Sequence, residues 1–86
     1  MRRLVLYSRE GCHLCDALAA ELAPWAASRG VTIEHLDVDA EPDARRRYGH
    51  RIPVLLLDGE PVAYGRLDLD ALERQWGAPG RRAGGA

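Results

Sequence analysis

The sequence predicts a single α/β domain, a four-stranded mixed sheet in the order β-α-β-α-β-β-α with helices on both faces. Three observations carry this. The runs Leu4-Val5-Leu6-Tyr7 and Ile52-Pro53-Val54-Leu55-Leu56-Leu57 are almost continuously apolar, as strands covered on both faces are. An Ala- and Leu-rich stretch with helical spacing separates the first run from another strand-like segment, and that succession makes a parallel crossover. Asp58-Gly59 then divides two strand-like segments, the signal of a two-residue hairpin.

Residues 2–8 form the first strand, and Ser8 to Gly11 a turn. In the helix that follows, Leu14, Leu18, Leu22 and Trp25 recur at a spacing that makes one apolar face, so Leu14 is expected in the core. Pro24 removes a backbone hydrogen bond and predicts a kink or an early end; Gly30 fits the position just past the helix. Val31 to Val38 is the second strand. A short helix then opens near Pro42, capped by Asp39 or Glu41, and stops at Gly49. Residues 52–57 form the third strand. Glu60 to Gly65 returns as an edge strand, where Pro61 is tolerated. Asp68 caps a last helix with Leu69, Leu72 and Trp76 on one face. The domain is expected over 1–76. Residues 77–86, made of Gly, Ala, Pro and Arg alone, are expected to be a flexible C-terminal tail.

A net charge of −1 with both signs interspersed gives no overall field to attract nucleic acid or an anionic membrane, and neither partner is expected. All twelve basic residues are arginine, which reads as coding bias. A monomer is expected. No N-terminal apolar stretch resembles a signal peptide and none a membrane span, so a cytoplasmic protein is expected as well. There, thiols are kept reduced, and a cysteine pair is more often chemical than structural.

The only two cysteines lie at the first strand-to-helix junction, in Glu10-Gly11-Cys12-His13-Leu14-Cys15. A bridge between them would close too small a loop to stabilise the fold. An attacking sulfur must be a thiolate. Cys12 falls at or just before the first helical turn, where free N–H groups and the macrodipole favour negative charge. Its pKa is therefore expected below the ordinary value of about 8.5. Cys15 lies one turn deeper on the same face, less exposed and placed to resolve a mixed disulfide. His13 either supports the thiolate or faces solvent. A zinc site would need two more ligands, and His13, His35 and His50 offer no second paired spacing. An inert packing pair is the remaining alternative.

A first strand running into this motif, a third strand opening with Ile52-Pro53, then a hairpin and a last helix, resembles the minimal thioredoxin-like fold. At this size it is similar to the glutaredoxin-like proteins, over residues 2 to about 76. The resemblance implies a thiol–disulfide oxidoreductase in cell redox homeostasis, with Cys12 and Cys15 as catalytic dithiol and as a disulfide when oxidised. It implies that Pro53 is cis and that Ile52 offers its backbone as an unpaired edge to a substrate disulfide. Gly65 and Asp68 match the stretch that holds glutathione, and Arg9 falls near the cation that meets a glutathione carboxylate. The implied partners are a disulfide-containing protein or a glutathione mixed disulfide. No bound cofactor is expected; glutathione is the implied reductant, and some glutaredoxins share an iron–sulfur cluster between two chains.

Several positions depart from that pattern. Cys12-His13-Leu14-Cys15 stands where dithiol glutaredoxins have Cys-Pro-Tyr-Cys, and Arg51 where they have Thr before the proline. Gly65-Arg66-Leu67-Asp68-Leu69-Asp70 keeps only part of the glutathione stretch; Arg51 and Arg66 either compensate in part or are ordinary surface arginines, the reading favoured for Arg66. The strand before the motif lacks the buried acid of thioredoxins. A second class of function therefore stands beside the enzyme: a binding or adaptor module using the groove around Pro53 and Gly65, or a metal or cluster carrier.

Overall fold

A computed structural model describes the backbone of residues 2–84 and the side chains of residues 2–77. The elements follow the expected order: β1 (Leu4–Ser8), α1 (His13–Ser28), β2 (Ile33–Asp37), α2 (Pro42–Tyr48), β3 (Val54–Leu57), β4 (Glu60–Tyr64) and α3 (Leu69–Gly84). A single 3-10 turn, Val38–Ala40, links β2 to α2. The tail expected over 77–86 lies, beyond Gly77, outside the residues whose side chains are described.

The strands form one mixed sheet in the order β2-β1-β3-β4. β1 runs parallel to β2 and antiparallel to β3, and β3 runs antiparallel to β4. Asp58 (φ 52°) and Gly59 (φ 88°) turn the hairpin in the left-handed conformation that a two-residue loop demands. The register shifts between Leu55 and Leu56, so one extra residue of β4 bulges on this outer strand beside Pro61. Alternation along the central strands separates two cores. Leu4, Leu6, Leu55 and Leu57 face Leu18, Leu22, Trp25 and Ala26 of α1 and Leu72 of α3. Val5, Val54 and Leu56 face the other way, with Tyr7, Leu36, Tyr48 and Ile52 around them. Trp25 and Trp76 meet edge to face at 5.3 Å, and the Trp25 Nε1–H donates to Glu73 at 2.8 Å, tying α1 to α3.

Two sequence expectations fail for a local reason, and a third, the cap of α2, holds in position only. Pro24 neither ends nor shortens α1, which continues to Ser28. Pro24 and Ala20 both face solvent, so the carbonyl that loses its N–H partner is open to water. The helix then closes with the N–H groups of Gly30 and Val31 on the carbonyls of Ala27 and Ala26. Glu41 occupies the cap position of α2 without a side-chain bond, while Asp37 caps the preceding turn through Asp39 N–H. Leu14, expected in the core, is 58% exposed, and Leu69 is 41% exposed. Both lie in the first turn of their helices, at the end of the sheet where β1 stops. The inward face of α1 is Cys15, Leu18, Leu22, Trp25 and Ala26 instead.

This assignment separates two leucines four residues apart. Leu18→Ala is expected to cost about 2–5 kcal/mol, and Leu14→Ala less than about 0.5 kcal/mol. Denaturant unfolding measures both, and equal losses would return Leu14 to the core.

Candidate active site

The cysteine pair is presented by a turn and a helix start. The Cys12 N–H donates to the Arg9 carbonyl at 3.2 Å across Glu10 and Gly11, and Gly11 has φ +79°, as the third position of such a turn requires. Cys12 is the N-cap of α1: its carbonyl accepts from Asp16 N–H at 3.1 Å, and its Sγ accepts from Cys15 N–H, also at 3.1 Å. The helix therefore aims one of its unpartnered N–H groups at the sulfur. Cys12 is half-buried, whereas Cys15 is 2% exposed and belongs to the inward face. The two are joined as a disulfide with Cα atoms 5.2 Å apart.

The proline strand arrives at the same end of the sheet. Tyr7 opposes Val54, so Pro53 falls level with Ser8, where the chain leaves β1 for the cysteines. Pro53 is fully buried and the Ile52–Pro53 bond is cis. The Pro53 carbonyl accepts from Gly65 N–H at 2.7 Å. Gly65 has φ +75° and is bridged by Arg66 N–H on the Tyr64 carbonyl at 2.7 Å, a γ-turn that glycine adopts without steric cost. The Pro53 and Gly65 segments thus form one ridge. Asp68 is in use as the cap of α3, its Oδ1 accepting from Ala71 N–H at 3.1 Å. His13 is exposed in the first turn of α1. Among the described residues, no three of His, Cys, Asp and Glu come together as a metal-binding group, and no helix is long and apolar enough to cross a membrane.

Arg9 does not stand free beside the cysteines. Its Nε and one terminal nitrogen donate to both oxygens of Asp39, at 2.6 and 2.8 Å, and the other reaches the Gly49 carbonyl at 3.3 Å. The fork ties the cysteine turn to the turn after β2 and to the end of α2. Nothing in the sequence announces this pair, whose members lie thirty residues apart. The hydrogen bond to Asp39 raises the Arg9 pKa, and the same bond lowers that of Asp39. A second unforeseen contact is Arg51, whose Cζ lies 3.9 Å over the Tyr64 ring, beside the ridge.

A carboxylate whose pKa is depressed in the folded state stabilises it fully above the unfolded value, and that contribution disappears as pH falls through the folded value. The midpoint difference between wild type and Asp39→Asn in urea is therefore expected at neutral pH and to close as pH drops below the ordinary 3.8. A gap unchanged at acid pH would assign the effect to something other than the carboxylate.

Comparison with known proteins gives a consistent picture. The model of the family described as "Glutaredoxin-like domain (DUF836)" matches residues 3–76. An uncharacterized protein of Mycobacterium tuberculosis is 35% identical over 68 residues, covering 73% of this chain and 70% of its own length. Protein Ne2328 of Nitrosomonas europaea, solved by NMR in solution, superimposes with a TM-score of 0.78 at 32% identity, over 86% of this chain and 89% of that one. Oxidized mitochondrial thioredoxin 3 of Saccharomyces cerevisiae shares the fold at a TM-score of 0.62 and 20% identity, over 86% of this chain and 74% of its own. A half-exposed cysteine capping a helix, bonded to a buried one and set at the sheet end where a proline strand begins, thus lies on a thioredoxin fold, and the chain belongs to the glutaredoxin-like domain family.

Proposed function

We propose that the protein is a thiol–disulfide oxidoreductase working through Cys12 and Cys15. The observation that carries this reading is the asymmetry of the pair: Cys12 is accessible and receives a helix N–H at 3.1 Å, while Cys15 is buried one turn below. In the reduced protein that N–H favours a thiolate at Cys12. The thiolate attacks one sulfur of a substrate disulfide; a Cys12–substrate bond forms, the substrate S–S bond breaks, and the leaving thiolate takes a proton from water. Cys15, its proton lost to water, then attacks Cys12 Sγ, forming the Cys12–Cys15 bond and expelling the second substrate thiolate. Two electrons have passed to the substrate. Two equivalents of an external thiol return the pair to its reduced form and leave as a disulfide.

The ridge supports substrate positioning. Ile52 makes no turn, loop or cap hydrogen bond through its main chain among the described residues, so an extended substrate segment has an edge to pair with. Glutathione as the returning thiol and a reducing, cytoplasmic setting fit the same chemistry. Arg9 would contribute by holding the cysteine turn rather than by meeting a glutathione carboxylate, since Asp39 occupies its fork.

Cys12→Ser is expected to reduce turnover of bis(hydroxyethyl) disulfide to the uncatalysed background. Cys15→Ser is expected to accumulate a one-to-one mixed disulfide at Cys12, read by intact mass. A wild type whose Cys12 alkylates no faster than a model thiol, and which reduces no disulfide, would overturn the reading.

A further inference from the structure

Given the disulfide exchange proposed above, on which this rests, we propose that the preferred substrate is a polypeptide disulfide carrying an acidic side chain beside its target cysteine, recognised by Arg51 and Arg66. Arg2, Arg3, Arg9, Arg29, Arg45 and Arg46 each pair with a carboxylate. Arg47, Arg51, Arg66 and Arg74 pair with none among the described residues, and two of these four bracket the ridge. Arg51 lies two residues before Pro53, and Arg66 follows Gly65. Arg51 Cζ lies 3.9 Å over the Tyr64 ring, and its guanidinium makes no hydrogen bond to a carboxylate among the described residues, so its N–H groups can take one from a substrate, an arginine fork meeting a carboxylate through two hydrogen bonds.

The occupant must also bring an apolar side chain. The exposed large apolar residues among those described are Leu14, Tyr64 and Leu69, and all three fall at the cysteine end of the molecule. A groove of about 430 Å³ runs from Leu14 past Ala17 to Gly65, Arg66 and Leu67. Glutathione has no apolar side chain to lie there, and a polypeptide does. Glu21 lines this groove from α1, and Asp68 and Asp70 share a hollow with Arg66 on its other side, so an acid is disfavoured beside them and favoured only between Arg66 and Arg51. Complementarity therefore fixes the polarity of the partner: an apolar residue in the groove and a carboxylate at the Arg51–Arg66 side.

The test uses blocked pentapeptides with a central cysteine joined by a disulfide to mercaptoethanol. Leucine lies on one side, and glutamate, glutamine or lysine on the other. Pre-reduced, desalted protein is mixed with each, and formation of the Cys12–Cys15 disulfide is followed by quenched alkylation and mass. Glutamate is expected to react about fivefold faster than glutamine at low salt, lysine more slowly still, and the differences are expected to shrink at high salt. The Arg51→Gln/Arg66→Gln double variant is expected to lose the ranking, and Arg74→Gln to keep it. Equal rates for the three peptides, or a ranking that survives in the double variant, would overturn the proposal, even where bis(hydroxyethyl) disulfide is reduced normally. Failure to reduce bis(hydroxyethyl) disulfide would instead overturn the oxidoreductase reading beneath it.

Discussion

Everything at the active end hangs on the pairing of β1 with β3. Both strands are buried on both faces, so each successive residue is committed to one of two cores. A slip of one residue would turn Leu55 and Leu57 away from α1 and set Val54 and Leu56 in their place, exchanging side chains across the sheet. The exchange would put side chains of the wrong size into both cores, and overpacking of that kind typically costs about 1–3 kcal/mol, so packing selects the register. That register puts Val54 opposite Tyr7, and therefore Pro53 opposite the exit from β1. The cysteines and the proline, more than thirty residues apart in the chain, meet because the core admits one alignment.

The apolar layers cannot by themselves aim the turn between β1 and α1, and polar contacts do that. Arg9 is fixed at two levels: its carbonyl receives the Cys12 N–H, and its side chain is clamped by Asp39 and Gly49. Ion pairs this exposed add little to global stability. Their value is geometric, since a bidentate fork restrains orientation as well as distance. At the opposite end of the sheet, Arg2 plays a comparable part, donating to Asp58 at 2.6 Å and to the Trp76 carbonyl at 2.9 Å while covering the Trp76 ring.

The architecture was legible because its signals are local. Two apolar runs, an Asp-Gly pair, a glycine after a helix and a cysteine pair at a strand-to-helix junction each constrain a few neighbouring residues, and their sum leaves one topology. The cysteine positions and the Ile52-Pro53 opening were readable for the same reason. The setting of Arg9 was not: a cation near a cysteine motif can meet a ligand or a carboxylate of its own chain, and periodicity does not place Asp39 beside it. Pro24 reads in the sequence as a helix breaker, but its cost depends on whether the orphaned carbonyl can reach water, a property of the face and not of the residue. Leucine spacing alone puts Leu14 on the apolar face of α1, where the structure has Cys15.

The burial of Cys15 decides what its neighbours present to solvent. In α1 the inward face takes Cys15 and leaves Leu14, about a hundred degrees away around the helix, outside it. Cys15 shares its face with Leu18 and Leu22, and its near-complete burial leaves solvent-facing positions to the residues between the cysteines. With the second sulfur buried, the two residues in the middle of the motif, His13 and Leu14, are exposed. A single exposed leucine is unremarkable on a protein surface. Here it lies at the mouth of a groove that ends at Gly65, whose N–H holds the Pro53 carbonyl. The same helix start that hides one sulfur leaves Leu14 exposed on the groove that reaches Gly65.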